Sequence, residues 1–181
     1  MLQITIPPVI REDYDEESNM FIYTELEGEF TLTLEHSLLS LSKWESKWRK
    51  PFLTKNDKTP EELLDYVKCM TLTPNVDPDI YLRLTDSNYK EIEKYIGNPM
   101  TATTFSDNQN GKHNREIITS EIIYYWMVAL NIPFECQEWH LNRLITLVRV
   151  CNIKNTPPKK RGSKDTASKY ARMNAARKKK H

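Results

Sequence analysis

The last 27 residues of this chain, NTPPKKRGSKDTASKYARMNAARKKKH, carry too little apolar surface to enter a core, so folding rests on the residues before them. Residues 154 to 181 hold 11 Lys+Arg and a single acid, Asp165, a balance of +10. The remaining 153 residues hold 15 Lys+Arg against 24 Asp+Glu, a balance of −9. The formal charge of +1 therefore hides an acidic body and a basic tail. The expected organisation is a single globular domain over 1–155, β-rich over 1–35 and helical over 36–155. A basic tail over 156–181 follows, disordered or ordered by a partner.

Periodicity fills in the body. LQITIP alternates apolar and polar and stops at Pro7-Pro8, as a short strand does. The acidic REDYDEESN reads as a loop. MFIYTELEGEFTLTLEH reads as two strands around Glu27-Gly28, a hairpin to which Leu2, Ile4 and Ile6 add a third strand. From His36 the period becomes helical. Leu38, Leu41, Trp44 and Trp48 form one stripe ended by Pro51, and Leu63, Val67 and Met70 form another behind a Thr59 cap and Pro60. DPDIYLRLT and SNYKEIEKYIGN give two short helical segments, the second capped by Ser87. The densest apolar content lies in two later helices. One presents Ile118, Ile122, Tyr125, Trp126 and Ala129 on a face, the other Leu141, Leu144, Ile145 and Val148, and these are expected to be the central antiparallel pair. The fold class is α+β, mainly helical: a short N-terminal β-hairpin or small sheet, a bundle of five or six helices, and a basic flexible tail.

Chemistry-bearing patterns are sparse. Cys136 and His140 stand four apart, but two ligands are not a metal site and no second pair has finger-like spacing. The same pair has nothing beside it that marks a nucleophile, and His36 reads as a cap or core histidine. With four glycines the chain has neither a phosphate-cradling loop nor a dinucleotide fingerprint. The expectation is a non-enzymatic protein without catalytic residues, cofactor or metal. Three cysteines in no paired spacing suit reduced thiols in a cytosolic setting. No signal peptide and no apolar run of membrane-spanning length is visible, so no membrane partner is expected.

Partner binding is the remaining class. Tyr124, Tyr125 and Trp126 are consecutive in a helix and cannot all face inward. Candidate contact residues in the body are Trp44, Trp48, Tyr124, Tyr125 and Trp139, a surface that another copy or another protein would cover. In the tail they are Lys159, Lys160, Arg161, Arg177, Lys178, Lys179 and Lys180, which would also give non-specific, salt-sensitive nucleic-acid contact. A single tail aromatic, Tyr170, and an acidic body count against a dedicated nucleic-acid domain.

LEHSLLSLSKWESKWRKPFL, TPEELLDYVKCMTL, MTATTF, ITSEIIYYWMVALNIPFECQEWHLNRLITLVRVCNIKNTPPKK and the closing NAARKKK together resemble a family of small tailed-bacteriophage proteins, tail assembly chaperones or tail-associated proteins. The resemblance runs from about Leu34 to the end, and WHLNRLITLVRVCN and PPKK are its most specific parts. It implies a protein without catalysis that binds the tape-measure protein or tube and baseplate components in the host cytoplasm during virion morphogenesis. Two other classes stay open: a stoichiometric virion subunit such as a connector or baseplate piece, and a nucleic-acid-binding accessory protein using the basic tail.

Overall fold

The computed structural model describes residues 1–54, 57–105, 117–156 and 168–173. It is an α+β protein, mainly helical, with two small antiparallel sheets. The chain divides into two compact units, Met1–Val150 and Cys151–His181.

In the first unit, strand β1 (Leu2–Ile6) pairs with β4 (Phe30–Leu34), matching Ile4 with Leu32 and Leu2 with Leu34. The alternation is fully used: Ile4, Ile6, Leu32 and Leu34 all point into the core. Strand β2 (Val9–Asp15) pairs with β3 (Met20–Glu27), from Ile10 opposite Glu25 to Asp15 opposite Met20. This corrects two expectations. The hairpin turn lies at residues 16–19, not at Glu27-Gly28, and the acidic REDYD is strand rather than loop. Asp15 builds the turn: its carboxylate accepts from the Glu17 amide at 3.1 Å and the Ser18 hydroxyl at 2.6 Å. Asn19, at φ 55°, reverses the chain. The two sheets are thus consecutive parts of one strand pair, broken at Pro7-Pro8, where a ladder donor is missing, and at Gly28-Glu29.

Helix α1 (Leu38–Trp48) starts at a reciprocal Ser37–Ser40 capping box and ends at Arg49, φ 53°. It packs against α2 (Pro60–Met70), α4 (Ser120–Ala129) and a 3-10 segment, Phe134–Glu138. The central helix is therefore α1, not the later pair. Leu38, Leu41 and Trp44 are buried along it. The Trp44 ring lies 5.0 Å from Phe52 and 6.5 Å from Tyr66, centroid to centroid, and its Nε1 donates to the Glu62 carbonyl at 2.8 Å. Thr59 and Glu62 cap α2 reciprocally, with Pro60 at the first position. Of its expected stripe, Val67 and Met70 are buried, while Leu63 is exposed and Tyr66 takes the inner place. A 3-10 segment, Pro78–Arg83, precedes α3 (Asp86–Ile96), whose cap is Thr85 rather than Ser87.

In α4 the expected face is only partly inside: Ile122 and Trp126 are half-buried and Ile118, just before the helix, is exposed. Ile123 and Met127 are inside, and Tyr125 and Ala129 face out. Both sides of this helix are apolar, so periodicity alone did not choose between them. Thr119 makes no side-chain cap. Instead Glu45, buried in the middle of α1, accepts from the first α4 amide, Ser120, at 2.7 Å, and its other oxygen accepts from the Phe52 amide at 2.9 Å. One carboxylate thus caps α4 from another helix and ties down the chain after α1. Glu45→Ala strips both buried amides of their acceptor and should cost about 3 kcal/mol. The melting temperature should fall by roughly 6–12 °C in a thermal scan. Glu45→Gln retains one acceptor and should lose only about 1 kcal/mol.

Helix α5 (Leu141–Asn155) buries Leu141, Leu144 and Val148 as its pattern requires. Its start is tied to the β4–α1 junction by the Leu141 amide donating to the His36 carbonyl at 2.7 Å. In the second unit the Thr156 amide and hydroxyl both donate to the Asn152 carbonyl, and residues 168–173 are helical.

Candidate functional site

Three features stand out among the described residues: a buried imidazole cluster, an apolar patch around α4, and the β2–β3 ribbon.

The imidazole cluster sits where β4 meets α1 and α5. His36 Nδ1 lies 2.6 Å from the Tyr66 hydroxyl, and the His36 and His140 rings meet edge to face at 5.2 Å. His140 accepts the Asn142 amide at Nδ1, 3.3 Å, so its Nε2 carries the proton donated to the Tyr95 carbonyl at 3.0 Å. The Tyr95 hydroxyl donates to Glu35 at 2.7 Å, and the other Glu35 oxygen lies 2.8 Å from the Met1 amino group. Burial, with the neighbouring His140, pushes His36 down to about 3, and burial lowers His140 as well. Burial likewise raises the Tyr66 hydroxyl, and burial together with Glu35 raises Tyr95. All four side chains are buried, and that burial favours the neutral form of each. The arrangement ties the β4–α1 junction to α2 through Tyr66, to α3 through Tyr95 and to the start of α5 through His140. Cys136 lies on the 3-10 segment and His140 just before α5, so they do not share a helix turn, and no three metal-ligating side chains cluster among the described residues. Burial raises the Cys69 and Cys136 thiols, away from thiolate.

The aromatic candidates separate. Trp44 is 1% exposed and belongs to the core, which removes it from any contact surface. Trp48 is half-buried, its Nε1 donating to Asp65 at 2.8 Å. Tyr124 is half-buried and donates to Gln137 at 3.0 Å, and the half-buried Trp139 carries the Arg143 guanidinium over its ring at 4.2 Å. Tyr125 alone of the five stands fully out, 68% exposed, beside Val128 in α4; Phe134, in the following 3-10 segment, is exposed too. Lys159, Lys160, Arg161, Arg177, Lys178, Lys179 and Lys180 lie outside the described residues.

The sequence showed β3 as a strand but took β2 for a loop, so the ribbon as a unit was missed, and it is the most exposed apolar element among the described residues. Every β3 residue is exposed, and Ile10, Tyr14, Met20, Phe21, Ile22 and Tyr23 are all open to solvent. By register Ile10, Glu12, Tyr14, Phe21, Tyr23 and Glu25 share one face. On it Tyr14 and Phe21 pair at 5.1 Å and the Tyr23 hydroxyl donates to Glu12 at 3.2 Å. The root is held by Arg83, whose guanidinium reaches Glu27 at 2.7 Å, the Pro7 carbonyl at 2.7 Å and the Gly28 carbonyl at 2.8 Å. An isolated two-stranded ribbon is at best marginal in water, and one with aromatic rings uncovered on it is built to be covered. Its Asp/Glu alternating with Tyr, Phe and Ile leaves no clean polar face, so the strand period was hidden in the sequence.

Comparison with protein-family models, with curated proteins and with solved structures gave no match. No helix among the described residues is long and apolar enough to cross a membrane.

Proposed function

We propose that the chain is a non-catalytic assembly protein of a tailed bacteriophage, a tail assembly chaperone that holds tape-measure or other tail components in the host cytoplasm. The observation that supports a binding role best is the β2–β3 ribbon: apolar rings and carboxylates presented together on a preformed element clamped at its root. Such a surface suits a client that exposes both apolar and basic side chains before it assembles. The phage assignment rests on the resemblance carried by WHLNRLITLVRVCN and PPKK.

Quantitative mass spectrometry of purified particles beside infected-cell lysate tests it. Abundant peptides in the lysate and none in particles are expected. A fixed copy number per particle would make the protein a stoichiometric virion subunit instead, with the ribbon as a permanent joint. No association with particle production would overturn the phage reading altogether.

A further inference from the structure

Between Val9 and Glu27 the ribbon carries seven carboxylates, Glu12, Asp13, Asp15, Glu16, Glu17, Glu25 and Glu27, against the single base Arg11, a balance of −6. Two such ribbons repel, so edge-to-edge pairing of ribbons from two copies is disfavoured despite their open strands. Whatever covers the aromatic face must bring positive charge as well as apolar surface. One segment of this same chain has both. Residues 154 to 181 carry the balance of +10, and the short helical run 168–173 holds Tyr170 and Met173 three apart, hence on one side of a turn, both exposed. Lys169 and Arg172 flank them.

We infer that the ribbon is a docking arm for a second copy of the chain, taking up that copy's basic segment, residues 154 to 181. Tyr170 and Met173 of the incoming copy cover the Tyr14–Phe21 pair and Ile10. Lys169 and Arg172 meet Glu12 and Glu25, which lie on the same ribbon face. The contact is isologous if each copy gives its segment to the other, and it extends into a chain of copies if it does not close. The inference stands apart from the phage reading, since it uses only charge, exposure and register.

Charge reversal in the full chain tests it. Glu12, Glu16 and Glu25→Lys together bring the ribbon balance to zero, and Lys169, Arg172, Arg177, Lys178 and Lys179→Glu together do the same for the tail. All these side chains lie on exposed ribbon positions or in the tail, and circular dichroism checks that both variants fold. Sedimentation equilibrium of the parent chain at low salt should give at least twice the 21.4 kDa monomer mass. Raising salt from about 0.05 to about 0.5 M should weaken association by about tenfold or more as screening sets in. Each reversed variant alone should be monomeric. An equimolar mixture of the two should associate again, because the acidic ribbon of one meets the basic tail of the other. A monomeric parent overturns the inference. So does association that survives both reversals, or a mixture that stays monomeric.

Discussion

Trp44→Ala should destabilise the protein by about 4 kcal/mol, the middle of the range for emptying a large aromatic site in a core. The indole lies among Phe52, Tyr66 and Trp48, and its ring nitrogen donates to the Glu62 carbonyl of α2. Removing it leaves a cavity in the middle of the α1–α2 packing and takes away the bond that its ring nitrogen makes to α2. Phe52 stacks on Tyr66 at 3.8 Å, and Tyr66 in turn holds His36, so the damage spreads along a connected set of rings. Tyr125→Ala, by contrast, removes a ring that stands in solvent and should change stability by less than about 0.5 kcal/mol. Urea denaturation of the two variants beside the parent measures the contrast. Equal midpoints would contradict the placement of α1 at the centre of the fold.

Acid should weaken the fold well above the pH at which carboxyls protonate. His36 is held near 3 in the folded state against 6.5 for a free imidazole. At pH above 6.5 the ring is neutral in both states and the contribution is complete. Below that, the unfolded chain takes up a proton that the folded chain refuses, and stability declines by about 1.4 kcal/mol per pH unit until the folded value is reached. From pH 7.5 to pH 5 the loss attributable to His36 is about 2 kcal/mol. His140, lowered by burial, adds in the same direction. The carboxyls of Asp15, Glu62 and Glu121 lie below their usual values, through bonds from Ser18, from Lys50 and from the Glu121 backbone amide respectively. Their contributions fade only as the pH falls through the carboxylate range, so they do not confuse the window between 5 and 7.5. Denaturant titrations at pH 5 and 7.5 read the loss directly. His36→Gln removes the titrating group, and its difference between the two pH values should be smaller by about 2 kcal/mol. An unchanged difference would mean that His36 is solvated in the folded state.

Where one face of an element is buried and the other is wet, its residues announced it. Ile4 and Ile6 against Leu32 and Leu34, Leu38 with Leu41 and Trp44, and Leu141 with Leu144 and Val148 were all readable from period alone. Two situations defeated that reading. In α4, Ile123 and Met127 compete with Ile122, Tyr125 and Val128 for the inner side, and only the neighbours of the folded helix choose between them. In the β2–β3 ribbon neither face is buried, so no alternation was imposed on Ile10–Asp15, and its acids look like a loop. The β2 half of the main candidate site therefore escaped notice for the same reason that the ribbon is a candidate: its apolar residues are exposed rather than packed into the core. The cap on α4 was equally illegible, because Glu45 stands 75 residues before the amide that it accepts from.

The clamp at the ribbon root bears on how such a protein diversifies. Arg83 holds Pro7 and Gly28 by their main-chain oxygens, and only Glu27 contributes a side chain. Nothing in that grip reads the identity of residues 10 to 26. An arm gripped in this way is an exchangeable cassette. Its tip can be rewritten, or lengthened by paired additions that keep the same side chains on the same face, while the interior built on Trp44 and Glu45 stays as it is. Homologues that share the body and differ mainly in those seventeen positions would present a different docking face on the same interior.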